Sequence, residues 1–391
     1  MSGDVGAREA APGDAVGRAA AAADTKRDAA AGRGAAPAGA ARDEPAPSAL
    51  APTASMASSR ATGATDARPR REPAPSPSAP TAGTPLLSVV IPTYNHAALL
   101  AAALDCLAAQ TLPHTAFEVV VADDGSTDTT PAVLAAAATR LPLRVVRLPV
   151  NRGRAAARNA ALRAARAPLV MFTDSDVLVR PDFLARHLAL HRAAGRPVVG
   201  RGPVVFVPRP ELPARLPLVR SSPAFLDTAN ASVPRQAVFD AGLFDEGFRA
   251  YGWEDVDLGL RLQALGLPRV FAPEAVAFHV QPPPVPETLA AALAREEERA
   301  RTAVYLLRKH PGWRTRVLVQ DTPVQRAVHF MMAAGGLVPA ADALRVARWL
   351  RARGLTTLAF LVTRGPLNRH YLRALDRYRR VEPAGADDAG R

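Results

Sequence analysis

Residues 170–176 read Val-Met-Phe-Thr-Asp-Ser-Asp, an apolar run that breaks into two carboxylates, Asp174 and Asp176, separated by one small residue. Residues i and i+2 of an extended segment share a side. Both carboxylates can therefore face one cation, directly or through water, and hard oxygen ligands suit Mg²⁺ or Mn²⁺. The alternative is two loop aspartates capping the next helix. His279 closes a later apolar run. Such a histidine is ordinarily a satisfied core residue, but beside an Asp-x-Asp pair it becomes a third metal ligand.

Three further clusters carry chemistry. Asp123-Asp124-Gly125-Ser126 follows another apolar run. A carboxylate there can accept the ring N–H of a base such as uracil, Gly125 permits a tight turn, and Ser126 or Thr127 caps the following helix. Asn151-Arg-Gly153 leads to Arg154 and Arg158, one helical turn apart, and a pair of guanidiniums near a helix start suits a diphosphate or orients a ribose, the alternative being a solvated arginine face. Gly252-Trp253-Glu254-Asp255 sets an aromatic ring beside two carboxylates. A carboxylate held beside a cleft can take a proton from a sugar hydroxyl, and Trp253 can stack on a sugar face. The competing account of the acids is a helix's first turn favoured by its dipole, which leaves the apolar Trp253 unexplained.

These groups need a scaffold that brings strand ends together. Apolar runs at 87–91, 117–122, 143–148 and 169–173 alternate with helical patterns at 97–110, 129–140 and 155–165. Alternation of this kind predicts βαβ units and a mostly parallel sheet covered by helices on both faces, an α/β fold. In open α/β sheets ligands sit beyond the carboxyl ends of the strands, where Asp123, Asp124, Asp174 and Asp176 fall. From residue 181 the pattern changes: a helix at 182–193, a longer β-rich stretch at 198–207, a Pro-rich connection at 208–223, and a strand at 230–233. A helix at 257–265 and a closing strand at 270–279 complete the pattern.

The order of Pro92-Thr-Tyr94-Asn, Asp123-Asp-Gly-Ser-Thr-Asp, Asn151-x-Gly, Ala157-Arg-Asn159, Asp174-Ser-Asp176, Pro181-Asp182 and Gly252-Trp-Glu-Asp255 resembles family 2 glycosyltransferases, which have the GT-A fold. Gly242-Leu-Phe-Asp-Glu-x-Phe248, followed by Gly-Trp-Glu-Asp-x-Asp-Leu-x-x-Arg261, resembles the C-terminal module of galactosyltransferase-like enzymes, a combination found in bacterial polysaccharide-building transferases. The resemblance covers about residues 86–281. It implies that Pro92 and Tyr94 line the nucleobase site and that Asp124, with Asp123 beside it, bonds the base. It makes Asp174 and Asp176 the metal motif, with Asp176 the direct ligand, and His279 a metal-binding histidine. It puts Asn230 near the donor sugar and makes Asp255 the general base of an inverting displacement. Processive synthases carry Gln-x-x-Arg-Trp soon after the Glu-Asp motif. Here only Arg345-Val-Ala-Arg-Trp349 occurs, far downstream and with Arg in place of Gln, so a distributive enzyme is expected. The implied function is transfer from a nucleotide sugar, UDP-linked, to a glycan or lipid-linked acceptor with Mn²⁺ or Mg²⁺. The alternatives are a catalytically idle GT-A domain that binds nucleotide sugar or glycan, and a sugar nucleotidyltransferase.

Composition bounds the rest. The 391 residues carry a net charge of +13, yet lysine occurs only at positions 26 and 309, so the excess is arginine. Aromatic residues are 5%, too few for base-stacking platforms, and a nucleic-acid partner is not expected. The single Cys106 excludes an intramolecular disulfide and a cysteine zinc site, as fits a reducing compartment. No stretch reads as a certain membrane span or a signal peptide, so a cytoplasmic location is expected. The expected organisation is a disordered Ala/Pro/Arg-rich leader at 1–84, the α/β domain at 85–286, a helical region at 287–380 and a disordered tail at 381–391. The Arg-rich helices admit a peripheral contact with the inner face of the cell membrane.

Overall fold

The computed structural model describes residues 83–214, 224–280, 289–332 and 339–381, all within one unit, Ala74–Arg391. Residues 1–82 of the leader expected at 1–84, most of the Pro-rich connection and residues 382–391 of the tail expected at 381–391 lie outside the described residues.

The expected βα alternation builds the first half of the chain. The elements are β1 (Leu87–Thr93), α1 (Ala97–Ala108), β2 (Phe117–Asp123), α2 (Thr130–Ala137), β3 (Leu143–Arg147), α3 (Arg154–Ala164) and β4 (Leu169–Phe172). Strand β1 pairs in parallel with both β2 and β4, and β2 pairs in parallel with β3. Every residue of β1 and β2 is buried. Alternate residues feed opposite faces: Val89 and Ile91 pack with Leu100 and Leu104 of α1, whereas Val90 packs with Ala161 and Leu162 of α3. Each such aliphatic side chain contributes about 1.5–3 kcal/mol on burial. Strand β3, at the sheet edge, is largely exposed.

The second half follows with β5 (Val177–Val179), α4 (Phe183–Ala194), β6 (Val199–Arg201), β7 (Val204–Val207), β8 (Ala231–Pro234), α5 (Arg235–Asp240), α6 (Glu254–Ala264), β9 (Arg269–Phe271) and β10 (Ala277–Val280). The main sheet runs β3-β2-β1-β4-β8-β6-β9, with β8 antiparallel to both neighbours, and β5-β10-β7 form a second sheet. Two expected single strands are therefore broken. The 198–207 stretch splits into β6 and β7, and the 270–279 stretch into β9 and β10, with one half of each in each sheet. The switch is made by Gly202-Pro203, where a Cβ on Gly202 would stand 2.0 Å from the Ala275 carbonyl oxygen. Only glycine permits that approach.

The C-terminal helices are α7 (Leu289–Lys309), α8 (Trp313–Leu318), α9 (Pro323–Met332), α10 (Ala340–Ala352) and α11 (Thr356–Val381). They share a core with the sheet-bearing part of the chain. Phe248 and Val256 pack in one cluster with Ala300, Val304, Tyr371 and Leu375.

Candidate active site

The exits of β1, β2 and β4 are neighbours because those strands are neighbours. At the β1 exit Pro92 is buried and Tyr94 is 46% exposed. Asn95, in the left-handed region at φ 49°, accepts the Thr127 N–H at 2.8 Å and so ties the β1 exit to the β2 exit. Asp123 is buried and accepts the Ser126 N–H at 2.9 Å, closing the turn. Asp124 accepts the Arg152 N–H through Oδ1 and the Gly153 N–H through Oδ2, each at 2.8 Å, which docks the loop before α3 against the β2 exit. Burial outweighs those bonds and raises the Asp124 pKa above the ordinary carboxylate value.

Helix α3 carries the site's central ion pair. The Arg158 side chain is 2% exposed and donates from Nη2 to Asp174 Oδ1 at 2.7 Å and from Nη1 to Glu254 Oε1 at 2.9 Å. It thereby joins the β4 exit to the start of α6, where Glu254 lies 96 residues beyond Arg158 in sequence. This corrects the expectation for Arg158, whose guanidinium is spent on two protein carboxylates and not on a diphosphate. Arg154 remains exposed one turn earlier, its guanidinium 5.2 Å from the Tyr251 ring centroid. Burial opposes ionisation of Asp174, but Arg158, then His279 and Arg154, hold its pKa below the usual value.

Asp176 and His279 meet at the same rim, Oδ2 to Nε2 at 3.1 Å. The pairing of β5 with β10 sets this contact, with His279 opposite Val177 and the Val280 N–H on the Asp176 carbonyl at 2.8 Å. Burial lowers the His279 pKa, but the hydrogen bond and charge of Asp176, with Asp174 and Asp227 behind it, raise it overall. Among the described residues no three carboxylate, imidazole or thiolate side chains stand together as a closed metal cage. Asp174, the third expected ligand, turns Oδ1 to Arg158. The donor set of carboxylate oxygens and one imidazole nevertheless fits a hard divalent cation such as Mn²⁺.

Helix α6 brings the last motif. Trp253, at φ 75°, donates its indole N–H to the Arg299 carbonyl of α7 at 2.9 Å, which turns the ring's polar edge toward the C-terminal helices. Glu254 is buried and paired with Arg158, which anchors the turn at the start of α6. Asp255 is half-buried and accepts the Val256 N–H at 2.7 Å. Burial first, then the charges of Glu254 and Asp227, push its pKa up to about 8.

Asn230 belongs to the interior. It is fully buried; Nδ2 donates to the carbonyls of Pro203 and Ala275 at 2.8 Å each, and Oδ1 accepts from His187 Nε2 at 2.9 Å. Its hydrogen-bonding groups staple the two corners where the chain changes sheets.

Asp227 is the acid that sequence reasoning missed. It accepts from the buried Arg201 at 3.2 Å, and its charge acts on both Asp255 and His279. It follows the Pro-rich connection as Phe-Leu-Asp-Thr, with no strand-exit pattern and no neighbouring acid to mark it.

Residues 88–236 match the family model described as Glycosyl transferase family 2. Among curated proteins, the chain is 38% identical over 229 residues to validoxylamine A glucosyltransferase of Streptomyces hygroscopicus subsp. jinggangensis, covering 49% of this chain and 54% of that protein. It is 31% identical over 255 residues to the uncharacterized glycosyltransferase YfnE of Bacillus subtilis, covering 50% of this chain and 65% of that one. The chain thus spans between half and two thirds of the length of these relatives. Among solved structures, the mannosyltransferase PcManGT of Pyrobaculum calidifontis, in complex with GDP-Man and Mn²⁺, superposes with a TM-score of 0.49 at 24% identity, covering 77% of this chain and 88% of that one.

Proposed function

We propose, from the premise that residues 88–236 are a family 2 glycosyl transferase sequence, that the chain moves a sugar from a nucleotide-sugar donor, UDP-linked, to a hydroxyl of a glycan or lipid-linked acceptor. The transfer inverts the anomeric centre, depends on a divalent metal, and adds one sugar per encounter. The observation that carries this reading is the Arg158 bridge. One buried guanidinium holds Asp174 and Glu254 together and so ties the turn that carries Asp255 to the β4 exit, and Asp227 acts on both Asp255 and His279.

Each residue then has a task. Tyr94 and the Asp123–Asp124 turn lie at the exits of β1 and β2, where a nucleobase would sit. Arg154, exposed at the start of α3, is placed for a phosphate. Asp176 and His279, with Asp174, would hold the cation, which neutralises charge on the departing diphosphate. Asp255 takes the proton from the acceptor hydroxyl as that oxygen attacks the anomeric carbon from the face opposite the leaving group. Its raised pKa makes it a stronger base than an ordinary carboxylate once it is ionised.

Asp255→Asn should lower transfer by about 10²–10⁴-fold, the usual contribution of a general base, while UDP binding stays unchanged. Asp176→Ala should abolish the strengthening of UDP binding by Mn²⁺, read by calorimetric titration with and without the metal. A fully active Asp255→Asn enzyme would overturn the assignment of the base. Metal-enhanced UDP binding that survives Asp176→Ala would overturn the cation site.

A further inference from the structure

Helix α9 is inside out. An ordinary surface helix turns its apolar stripe to the core. Here the polar side is turned inward: Arg326 Nη2 donates to Asp321 Oδ1 and to Asp376 Oδ1 at 2.6 Å each, and Asn368 of α11 meets His329 Nδ1 at 3.1 Å. The apolar side faces out. Val324, Val328 and Met331, at i, i+4 and i+7, are 73%, 40% and 67% exposed, and no residue of the helix is buried.

Helix α10 adds a basic, aromatic face. It buries Ala343, Leu344, Ala347 and Leu350. Its outward side carries Trp349, 54% exposed, with the Arg353 guanidinium 3.8 Å from the ring centroid and exposed Arg345 and Arg348 nearby in the helix. Both helices pack on α11. Between residues 313 and 380 the sequence has thirteen arginines against three aspartates, with no lysine or glutamate. Asp321 and Asp376 are committed to Arg326, and Asp342 to Arg345, so the outward charge is positive.

Apolar side chains, an interfacial tryptophan and arginines on short helices are the recognition chemistry of an anionic lipid surface. No described helix is long and apolar enough to cross a membrane. A second copy laid on the same face would set arginine against arginine. We propose that the outward faces of α9 and α10 dock the chain on an anionic phospholipid surface, with Val324, Met331 and Trp349 entering the interface and Arg348 and Arg353 on lipid phosphates.

The test is flotation of the full chain with vesicles of phosphatidylglycerol and phosphatidylcholine, against vesicles of phosphatidylcholine alone. Binding is expected to the anionic vesicles, weakened by high salt. The variant Arg348→Gln/Arg353→Gln should bind roughly twenty-five-fold more weakly, taking about fivefold per arginine near the surface. Val324→Ser/Met331→Ser and Trp349→Ser should each also release the chain, with circular dichroism and UDP binding unchanged because the altered side chains are exposed. In a Trp313→Phe background, tryptophan emission should shift to the blue on anionic vesicles. Absence of vesicle binding, equal binding to neutral vesicles, or binding untouched by these variants would overturn the proposal. So would light scattering that shows a dimer dissociated by the same substitutions, which would assign the face to a second copy.

Discussion

Arg158→Met removes one guanidinium and leaves two acids facing each other at the base of the site. Arg158 and Glu254 are 2% and 8% exposed and Asp174 22%, so solvent screens the loss poorly. Removing one partner of a buried ion pair typically costs about 3–5 kcal/mol, because the remaining charge is stranded. That is a large fraction of a typical domain stability of about 5–15 kcal/mol. The loss should depend on pH with a defined sign. In the native chain Asp174 has a depressed pKa, so its contribution to stability is present above the unfolded value, about 3.9, and fades as pH falls through the lower folded value. Without Arg158, burial dominates and raises the pKa of Asp174, so protonation relieves the strain. Urea denaturation of both proteins between pH 4 and pH 8 should therefore show a gap that is widest near neutrality and narrows toward acid. Adding Glu254→Gln to Arg158→Met should recover about half of the loss, since one stranded charge of two is removed. A gap that is constant across pH, or a double variant no more stable than the single one, would refute the bridge as the feature holding α6 to the β4 exit.

Because the Asp255 pKa is raised to about 8, kcat/KM should climb with pH toward that value as the base loses its proton, and the profile should be measured between pH 6 and pH 9. Asp227→Asn removes one of the charges that raise it, so the rise should move to lower pH with donor binding little changed. Gly125→Ala should destabilise the fold by about 1–3 kcal/mol, since the glycine has φ 77° and a Cβ would lie 2.9 Å from the Val150 backbone, read as a lower melting temperature with weaker UDP binding.

What the sequence disclosed well was local. An apolar run ending in an acid marks a strand exit, and β2 and β4 carry that mark, so Asp123, Asp124 and Asp174 were legible together with the parallel half of the sheet. Long-range partners were not legible. Arg158 looks like one more arginine on an alanine-rich helix, and its role depends on Glu254, 96 residues later. Asn230 looks like a polar residue entering a strand. Its partners, Pro203 and Ala275, mark corners that exist only because two expected strands each change sheets. Residues 198–207 read as one β-rich stretch, and although Gly-Pro is a turn signal, nothing local in it says which sheet each half joins. Asp227 gave no signal at all.

The hydrophobic cluster shared by Phe248, Val256, Val304 and Tyr371 makes the helices after residue 288 something other than a detachable appendage. A fragment ending at 286 would uncover Val256, the neighbour of Asp255, and would strip the Arg299 carbonyl from the Trp253 indole. Swapping this region between relatives would change the floor beneath Asp255 as well as the outer surface. Grafts should therefore succeed only when the segment 242–264 travels with its helical support.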